Sequence, residues 1–412
     1  MVNEALKTEL PEDWDAVTLG DYAQIFRGGS PRPIQDFITT SDKGINWIKI
    51  GDVGVGAKYI TSTEEKIIPE GVSRSRMVYE GDLILSNSMS YGRPYIMNIE
   101  GCIHDGWLVI QKYDKTFYKD YLYYALSSEL TMQQYITMAA GSSVQNLNKD
   151  KVSKVVIHCP KVPEQKKIAE SLSAIDALLV DLQKLIQKKR DVRRGSLQLL
   201  LNNDHKYEWD ECSITDLLKA GGIKIGPFGS QLKKEMLLTD GLFKVYGQEN
   251  IYENDFSIGN RFLTPDHFQR LSSCEILPGD FLMSTMGTIG KCAIVPQKIQ
   301  KGIMDSHLVR LRFDERKINP EYVLHLFSDQ FDYLKRQTQQ LSVGGIMDGL
   351  SVGIVSKLKV KYPKNQEDQL ELINIFNDME ADIHNYEEEL LKYQRVKQGM
   401  MEELLTGKVR LV

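Results

Sequence analysis

Apolar positions along the chain follow two periods in alternation. Short apolar runs broken by Gly, Pro, Asp and Asn, such as Trp47-Ile48-Lys49-Ile50, Leu83-Ile84-Leu85 and Leu308-Val309-Arg310-Leu311-Arg312, predict strands joined by turns. Tyr118 to Met138 carries Tyr, Leu, Ala and Ile at helical spacing, and Pro320 to Leu334 is its counterpart, with a proline at the helix start. Beyond Pro163 the pattern changes: Ile168, Leu172, Ile175, Leu179, Leu182 and Ile186 step by four and three, which is a heptad seam. Beyond Pro363 the series Leu372, Phe376, Met379, Ile383, Tyr386, Leu390, Tyr393, Lys397, Met400 and Leu404 does the same with one charged interruption. Neither Glu164–Leu201 nor Lys364–Leu405 contains a proline, so each predicts a helix of roughly 55 to 65 Å at about 1.5 Å per residue. Amphipathic helices of that length need a partner.

The order of module, helix, module, helix is a duplication. Gly81, Ser86 and Gly92 recur as Gly279, Ser284 and Gly290, all at an offset of 198. Asp105 recurs as Asp305 at an offset of 200 and Pro160 as Pro363 at 203, a drift that reflects a few inserted loop residues. The expected organisation is a mixed module over 1–160, a helix over 161–203, a second module over 204–362 and a second helix over 363–412. The fold class is therefore α+β with a pseudo-two-fold internal repeat.

Charge suggests how the helices pair. Residues 161–203 hold 9 Lys and Arg against 5 Asp and Glu, while 363–412 hold 6 against 11. A basic run, Lys188-Lys189-Arg190 with Arg193 and Arg194, can face Glu387-Glu388-Glu389 or Glu402-Glu403, which favours pairing of the two helices over self-association. A pseudo-two-fold axis makes that pairing an antiparallel coiled coil.

Across 412 residues, 42% are hydrophobic and 26% charged, the profile of a globular protein, with no apolar run of about 18 residues for a membrane span. Met1 to Pro11 is polar and acidic where a secretory leader is basic and then apolar, so the expected compartment is the cytoplasm. The five cysteines form no Cys-x-x-Cys pair, which argues against a disulfide framework or zinc ribbon. A net charge of −5 argues mildly against bulk coating of nucleic acid but allows a local basic surface.

Catalytic equipment is sparse. Met286-Gly287-Thr288-Ile289-Gly290-Lys291 has the wrong spacing for a phosphate loop, and Gly51-Asp52-Val53-Gly54-Val55-Gly56 reads as a turn. Cys102, His104 and Asp105 could supply nucleophile, base and orienting acid, yet only Asp105 recurs in the second module, which favours a structural role. No histidine pair has metal-ligand spacing, and no Asn/Asp-Pro-Pro-Tyr/Phe tetrapeptide of amino-methyltransferases is present.

The repeated layout resembles the specificity subunits of Type I restriction-modification systems. The matching stretches are Trp14 through Thr18-Leu19-Gly20-Asp21 to Gly28-Gly29-Ser30-Pro31; Trp47-Ile48-Lys49-Ile50-Gly51-Asp52; Gly81 to Ser86; and Gly141-Ser142-Ser143-Val144-Gln145-Asn146-Leu147 leading to Pro163-Glu164-Gln165-Lys166-Lys167-Ile168. The ending Gln398-Gly399-Met400-Met401-Glu402-Glu403-Leu404-Leu405-Thr406-Gly407-Lys408 is the most specific of them. The second module departs at Trp209 to Gly222, at Gly226-Pro227-Phe228-Gly229-Ser230, and at Gln366-Glu367-Asp368-Gln369, which replaces Pro-Glu-Gln.

The resemblance implies a non-catalytic subunit with two target-recognition domains, each reading one half of a split, asymmetric site in double-stranded DNA, and a helical spacer setting the gap between the halves. It implies methyltransferase (M) subunits bringing S-adenosylmethionine and endonuclease-translocase (R) subunits bringing ATP and Mg, with no cofactor in this chain and no membrane. Base readout needs Arg, Lys, Asn and Gln on loops, with Ser and Thr taking phosphates. The candidates are Arg27, Ser30, Arg32, Lys49, Ser86, Asn87, Ser88, Tyr91 and Arg93 in the first module. In the second they are Lys224, Ser230, Gln231, Lys233, Gln248, Asn250, Ser284, Thr285, Thr288 and Lys291. Two other readings stay open: a two-module scaffold binding protein or sugar on a coiled-coil rod, and an enzyme in its own right.

Overall fold

The computed structural model describes residues 10–54, 56–87, 92–139, 147–202, 206–328, 333–342 and 350–411. Its contacts divide into two units, residues 1–183 with 389–412, and residues 184–388. A central helix, Val162–Asn202, and a C-terminal helix, Gln366–Leu404, each contribute residues to both. Pro163 sits in the first turn of the central helix, where its missing N–H leaves no intrahelical bond unmade.

The first unit builds two five-stranded sheets. One runs in the order Gln24–Arg27, Trp107–Gln111, Leu83–Ser86, Pro94–Met97, Tyr59–Ile60; the other runs Ile38–Thr39, Glu65–Ile67, Ile45–Ile48, Gly101–Ile103, Arg76–Val78. The second unit has a four-stranded sheet, Leu218–Ile225, Leu308–Phe313, Phe281–Ser284, Cys292–Ile294, and a three-stranded one, Phe262–Leu263, Phe243–Tyr246, Gly302–Met304. An antiparallel ladder ends each module before its long helix: Asp15–Thr18 with Val156–Cys159, and Trp209–Ser213 with Lys359–Pro363.

The recurring residues are those that fix turns. Gly81 and Gly279 lie at φ 88° and 83°, Gly92 and Gly290 at 81° and 78°, left-handed conformations open to glycine. The Asp82 carboxylate accepts Tyr79 N–H at 3.0 Å, and Asp280 accepts Leu277 N–H at 2.7 Å. Ser86 Oγ accepts Arg93 N–H and Ser284 Oγ accepts Lys291 N–H, both at 3.1 Å, which closes the hairpin after the central strand.

A second pair of staples joins each long helix to its module. Gln165 Oε1 accepts Tyr118 N–H at 2.7 Å while its Nε2 donates to Thr116 O and Pro160 O, both at 2.9 Å. Gln369 repeats this on Asn319 N–H (2.8 Å), Lys317 O (3.1 Å) and Pro363 O (2.8 Å), so the departure around Gln366 keeps the one residue that matters. Both amides are fully buried. Gln165→Ala and Gln369→Ala each strand buried backbone groups and are expected to cost about 2–3 kcal/mol, read from urea unfolding.

The helical stretch after Tyr118 is two helices, Lys119–Ser127 and Glu129–Ala139. Ser128 and Thr131 hydroxyls both donate to Ala125 O at 2.7 Å, and Ser128 Oγ accepts Thr131 N–H, which stops one helix and starts the next. Its counterpart is likewise divided, into Pro320–Phe327 and Tyr333–Ser342.

Of the seam residues, Ile168, Leu172, Ile175, Leu182, Ile186, Leu372, Phe376, Ile383 and Leu404 are buried, and Leu179, Met379, Leu390 and Met400 are half-buried. Ile168, Leu172 and Leu404 join the core of the first module, Leu372 and Phe376 that of the second, so the helix ends double as module core. Ion pairs link the helices within each unit: Asp176–Lys397 (2.6 Å) in the first; Lys189–Asp382 (2.7 Å), Arg190–Glu387 (2.5 Å) and Arg193–Glu380 (3.0 Å) in the second. From Arg190–Glu387 to Arg193–Glu380, rising numbers on one helix meet falling numbers on the other, the antiparallel sense. Most of these groups are half-exposed, so they add direction and register more than stability.

Candidate nucleic-acid interface

In the first module the strand Gln24–Arg27 runs into a loop that passes directly over the turn at Asp105. A Cβ on Gly28 would stand 2.1 Å from His104 O, so only glycine fits the crossing. Arg27 Nε donates to Asp105 O at 2.9 Å, Asn87 Nδ2 donates to the same oxygen at 3.0 Å, and Ser30 Oγ donates to the Asp105 carboxylate at 2.8 Å. The guanidinium of Arg32 lies 4.0 Å from that carboxylate and is otherwise exposed. Burial would raise the Asp105 pKa, but the Ser30 hydrogen bond and the charge of Arg27 outweigh it and hold the carboxyl below its usual range. Asp105 is thus an anionic hub that holds Arg27 and Ser30 in place and keeps Arg32 beside them.

The second module reproduces the crossing with other chemistry, and corrects the expected repeat: the ladders set Trp107 and Leu308 against Ser86 and Ser284, so Asp305 stands at the position of His104 and not of Asp105. A Cβ on Gly226 would stand 1.7 Å from Asp305 O. Asp305 is bridged by Arg261 Nη1 at 2.9 Å and accepts His307 N–H at 3.0 Å, and the other arm of Arg261 reaches Glu249 at 2.8 Å. At an offset of 198, Arg27, Ser30 and Arg32 give way to Ile225, Phe228 and Ser230. Phe228 is 59% exposed, an apolar ring on the rim where the first module has polar groups.

The polar loop residues fall into two groups. Arg27, Arg32, Arg93, Lys224, Ser230, Gln231, Lys233 and Thr288 are exposed, with Ser30, Gln248 and Lys291 half-buried beside them. Lys49 is half-buried too, its ammonium 2.9 Å from Glu65, whose hydrogen bond raises the Lys49 pKa. Gln248 Nε2 donates to Met286 O. Ser86, Asn87, Asn250, Ser284 and Thr285 are buried. Asn250 shows why: its oxygen accepts Gly247 N–H at 2.9 Å and its nitrogen donates to Asp255 O and Ile258 O at 2.9 and 3.0 Å. Ser88 and Tyr91 lie outside the described residues. Arg261, half-buried between two carboxylates behind the second rim, escaped the sequence reading because it has no counterpart in the first module.

The group Cys102, His104 and Asp105 is not assembled for nucleophilic chemistry. Cys102 is fully buried against Met77, its thiol pKa pushed up by that burial, while His104 Nδ1 accepts Gly106 N–H at 2.6 Å.

Two copies of one scaffold, each followed by a long helix and each presenting a different rim at the same crossing, define a two-module recognition protein. The model of the Type I restriction modification DNA specificity domain matches residues 11–190 and 207–393, and the chain belongs to that family. It is 20% identical to the Type I restriction enzyme MjaVIII specificity subunit of Methanocaldococcus jannaschii, covering 98% of this chain and 94% of the relative. It is 23% identical to the putative MjaX specificity subunit of the same organism, covering 98% and 95%. Among solved structures, the Type I restriction-modification S subunit from M. genitalium aligns with a TM-score of 0.53 at 16% identity over 97% of each chain. The HsdS subunit from Thermoanaerobacter tengcongensis aligns with a TM-score of 0.52 at 15% identity over 98% and 99%. The chain is therefore a specificity subunit, a DNA-recognition component and not a catalytic one. Among the described residues no helix is long and apolar enough to cross a membrane.

Proposed function

We propose that the chain reads a bipartite, asymmetric target in double-stranded DNA, the first module taking one half and the second the other. The observation that carries this is the pair of crossings at Gly28 and Gly226: both bring a glycine onto a backbone carbonyl, while the side chains beside it differ, Arg27, Ser30 and Arg32 against Ile225, Phe228 and Ser230. Equal scaffolds with unequal rims suit two half-sites of different sequence. Arg27 and Arg32, tethered beside Asp105, are the leading readers in the first module, with Arg93 exposed as well; Lys224, Gln231, Lys233 and Thr288 are the exposed candidates in the second.

The helices set the unread gap between the halves, one turn of B-DNA being about 34 Å. Methyltransferase subunits dock on the chain and bring S-adenosylmethionine; endonuclease-translocase subunits bring ATP and Mg. The chain itself holds no cofactor and works in the cytoplasm.

Affinity in this account comes from cations on phosphates, so DNA binding by the complex with its methyltransferase falls steeply with salt. Replacing both Arg27 and Arg32 by alanine is expected to weaken binding at least tenfold and to relax discrimination in one half-site only, measured by titration against DNA randomised in each half. Equal loss in both halves, or salt-insensitive binding, overturns the assignment of modules to halves.

A further inference from the structure

The internal repeat supplies its own comparison, and one place breaks it. In the first unit Lys58 stands just before the edge strand Tyr59–Ile60, which lies along Pro94–Met97; Ile96 N–H donates to Lys58 O at 2.9 Å and Asn98 N–H to Ile60 O at 3.0 Å. From there its ammonium turns inward, 2.7 Å from Asp120, 3.3 Å from Ser173 Oγ and 3.4 Å from Tyr124 Oη, over the Tyr124 ring at 4.7 Å. Tyr124 Oη also donates to Asp176 at 2.6 Å, and Asp176 holds Lys397 at 2.6 Å.

Every partner of this cluster except Lys58 has an equivalent in the second unit. Tyr121 and Tyr322, 201 apart, donate to His158 O and Lys361 O, which fixes the helix register. Asp120 and Tyr124 then become Glu321 and His325. Gln165 and Gln369 set the long-helix offset at 204, so Ser173, Asp176 and Arg193 correspond to Asn377, Glu380 and Lys397. The contacts agree: His325 Nε2 meets Asn377 Oδ1 at 3.0 Å, and Glu380 holds Arg193 at 3.0 Å.

The segment matching Lys58 is Ile251 to Ile258, which contains Glu253 and Asp255 and no Lys or Arg. Nor does it form the edge strand: Cys292–Ile294 ends its sheet among the described residues. Where the lysine would lie there is a cavity of about 540 Å³ lined by Tyr252, Glu321, His325, Asn377, Glu380 and the buried Arg193. Lys291 also lines it, but at the position of Arg93, which the first unit keeps in addition to Lys58. The first cluster balances Lys58 and Lys397 against Asp120 and Asp176. Among the described residues the second sets Arg193 against Glu321 and Glu380, with Lys291 in the place of Arg93, one cation short of the first.

We propose that this cavity of the second module is a binding site for a primary alkylammonium group supplied from outside the chain, seated on Glu321 and Asn377 as Lys58 is seated on Asp120 and Ser173. Two sources share that chemistry, a free alkylamine or a lysine on an extended partner segment laid along Cys292–Ile294. The full chain is titrated calorimetrically with n-butylamine, with n-butanol as its neutral control, and with the peptide Gly-Ala-Lys-Tyr-Ile, which copies residues 56–60, against the same peptide carrying norleucine for lysine.

Binding of butylamine but not butanol identifies a free-amine site; binding of the lysine peptide alone identifies a docked strand. In either case Glu321→Gln, on an exposed helix face, is expected to weaken binding at least tenfold. Lys58→Met is expected to open the equivalent site and raise the stoichiometry from one to two. The proposal is overturned if neither probe binds, if norleucine serves as well as lysine, or if Glu321→Gln leaves affinity unchanged.

Discussion

Replacing Arg410 by alanine is expected to lower the urea midpoint of the first unit markedly, because it strips the partner from a buried carboxylate. Glu164, in the first turn of the central helix, is 6% exposed at its side chain and receives Arg410 Nε at 2.7 Å, Arg410 Nη2 at 2.8 Å and Trp14 Nε1 at 3.1 Å. The same guanidinium makes two bonds of 2.8 Å to Asp13 and lies over the Trp14 ring. One side chain near the end of the chain thus ties the first strand's approach to the start of the central helix. The Arg410 hydrogen bond is the main cause of a lowered Glu164 pKa, against the upward push of burial. A depressed carboxyl stabilises the fold above its unfolded pKa of about 4.3 and loses that contribution as pH falls through the folded value. Wild type and Arg410→Ala should therefore differ most in urea unfolding at neutral pH and converge in acid. A difference that persists undiminished at pH 3 contradicts the assignment to Glu164.

The second large effect is expected at Gly226. Alanine there places a methyl 1.7 Å from the Asp305 carbonyl oxygen, a backbone atom that cannot yield without moving the turn that Arg261 and His307 hold. The strand end must shift, at a cost of about 1–3 kcal/mol or more, and the rim carrying Phe228 shifts with it. Recognition of one half-site should be lost while the other is kept, and Gly28→Ala should give the mirror result. Gly195 provides the contrast: it lies within the central helix with nothing within 4 Å of an added Cβ. Gly195→Ala is expected to stabilise by about 0.5–1 kcal/mol through helix propensity and to leave recognition unchanged. Loss of recognition with Gly195→Ala, or none with Gly226→Ala, overturns this account of the crossings.

What the sequence discloses and what it hides divides along physical lines. The duplication is visible because Gly81, Asp82, Ser86 and Gly92 each satisfy a demand of the backbone itself, and any second copy of the turn must meet it again. The long helices are visible because their seam needs apolar residues at fixed spacing. Loop polarity is ambiguous, since the amide of Asn250 and the hydroxyl of Ser284 look like recognition groups yet spend their hydrogen bonds on backbone. The hub at Asp105 draws Arg27 and Ser30 from 78 and 75 positions away, and the seat of Lys58 joins residues up to 115 apart. No local pattern records such meetings. Gln369 is intermediate: its neighbours changed, and only its hydrogen bonds reveal that it repeats Gln165.

The central claim, that two modules of one scaffold read two different half-sites, is tested most directly by mapping methylated adenines across a host genome. The chain is co-expressed with its methyltransferase subunit, once as wild type and once with Arg27 and Arg32 replaced by alanine. The account predicts one bipartite motif with two unlike halves around a fixed gap, absent without this chain, and relaxed in a single half by the double substitution. A motif with identical halves, a continuous motif, or relaxation of both halves at once would contradict it.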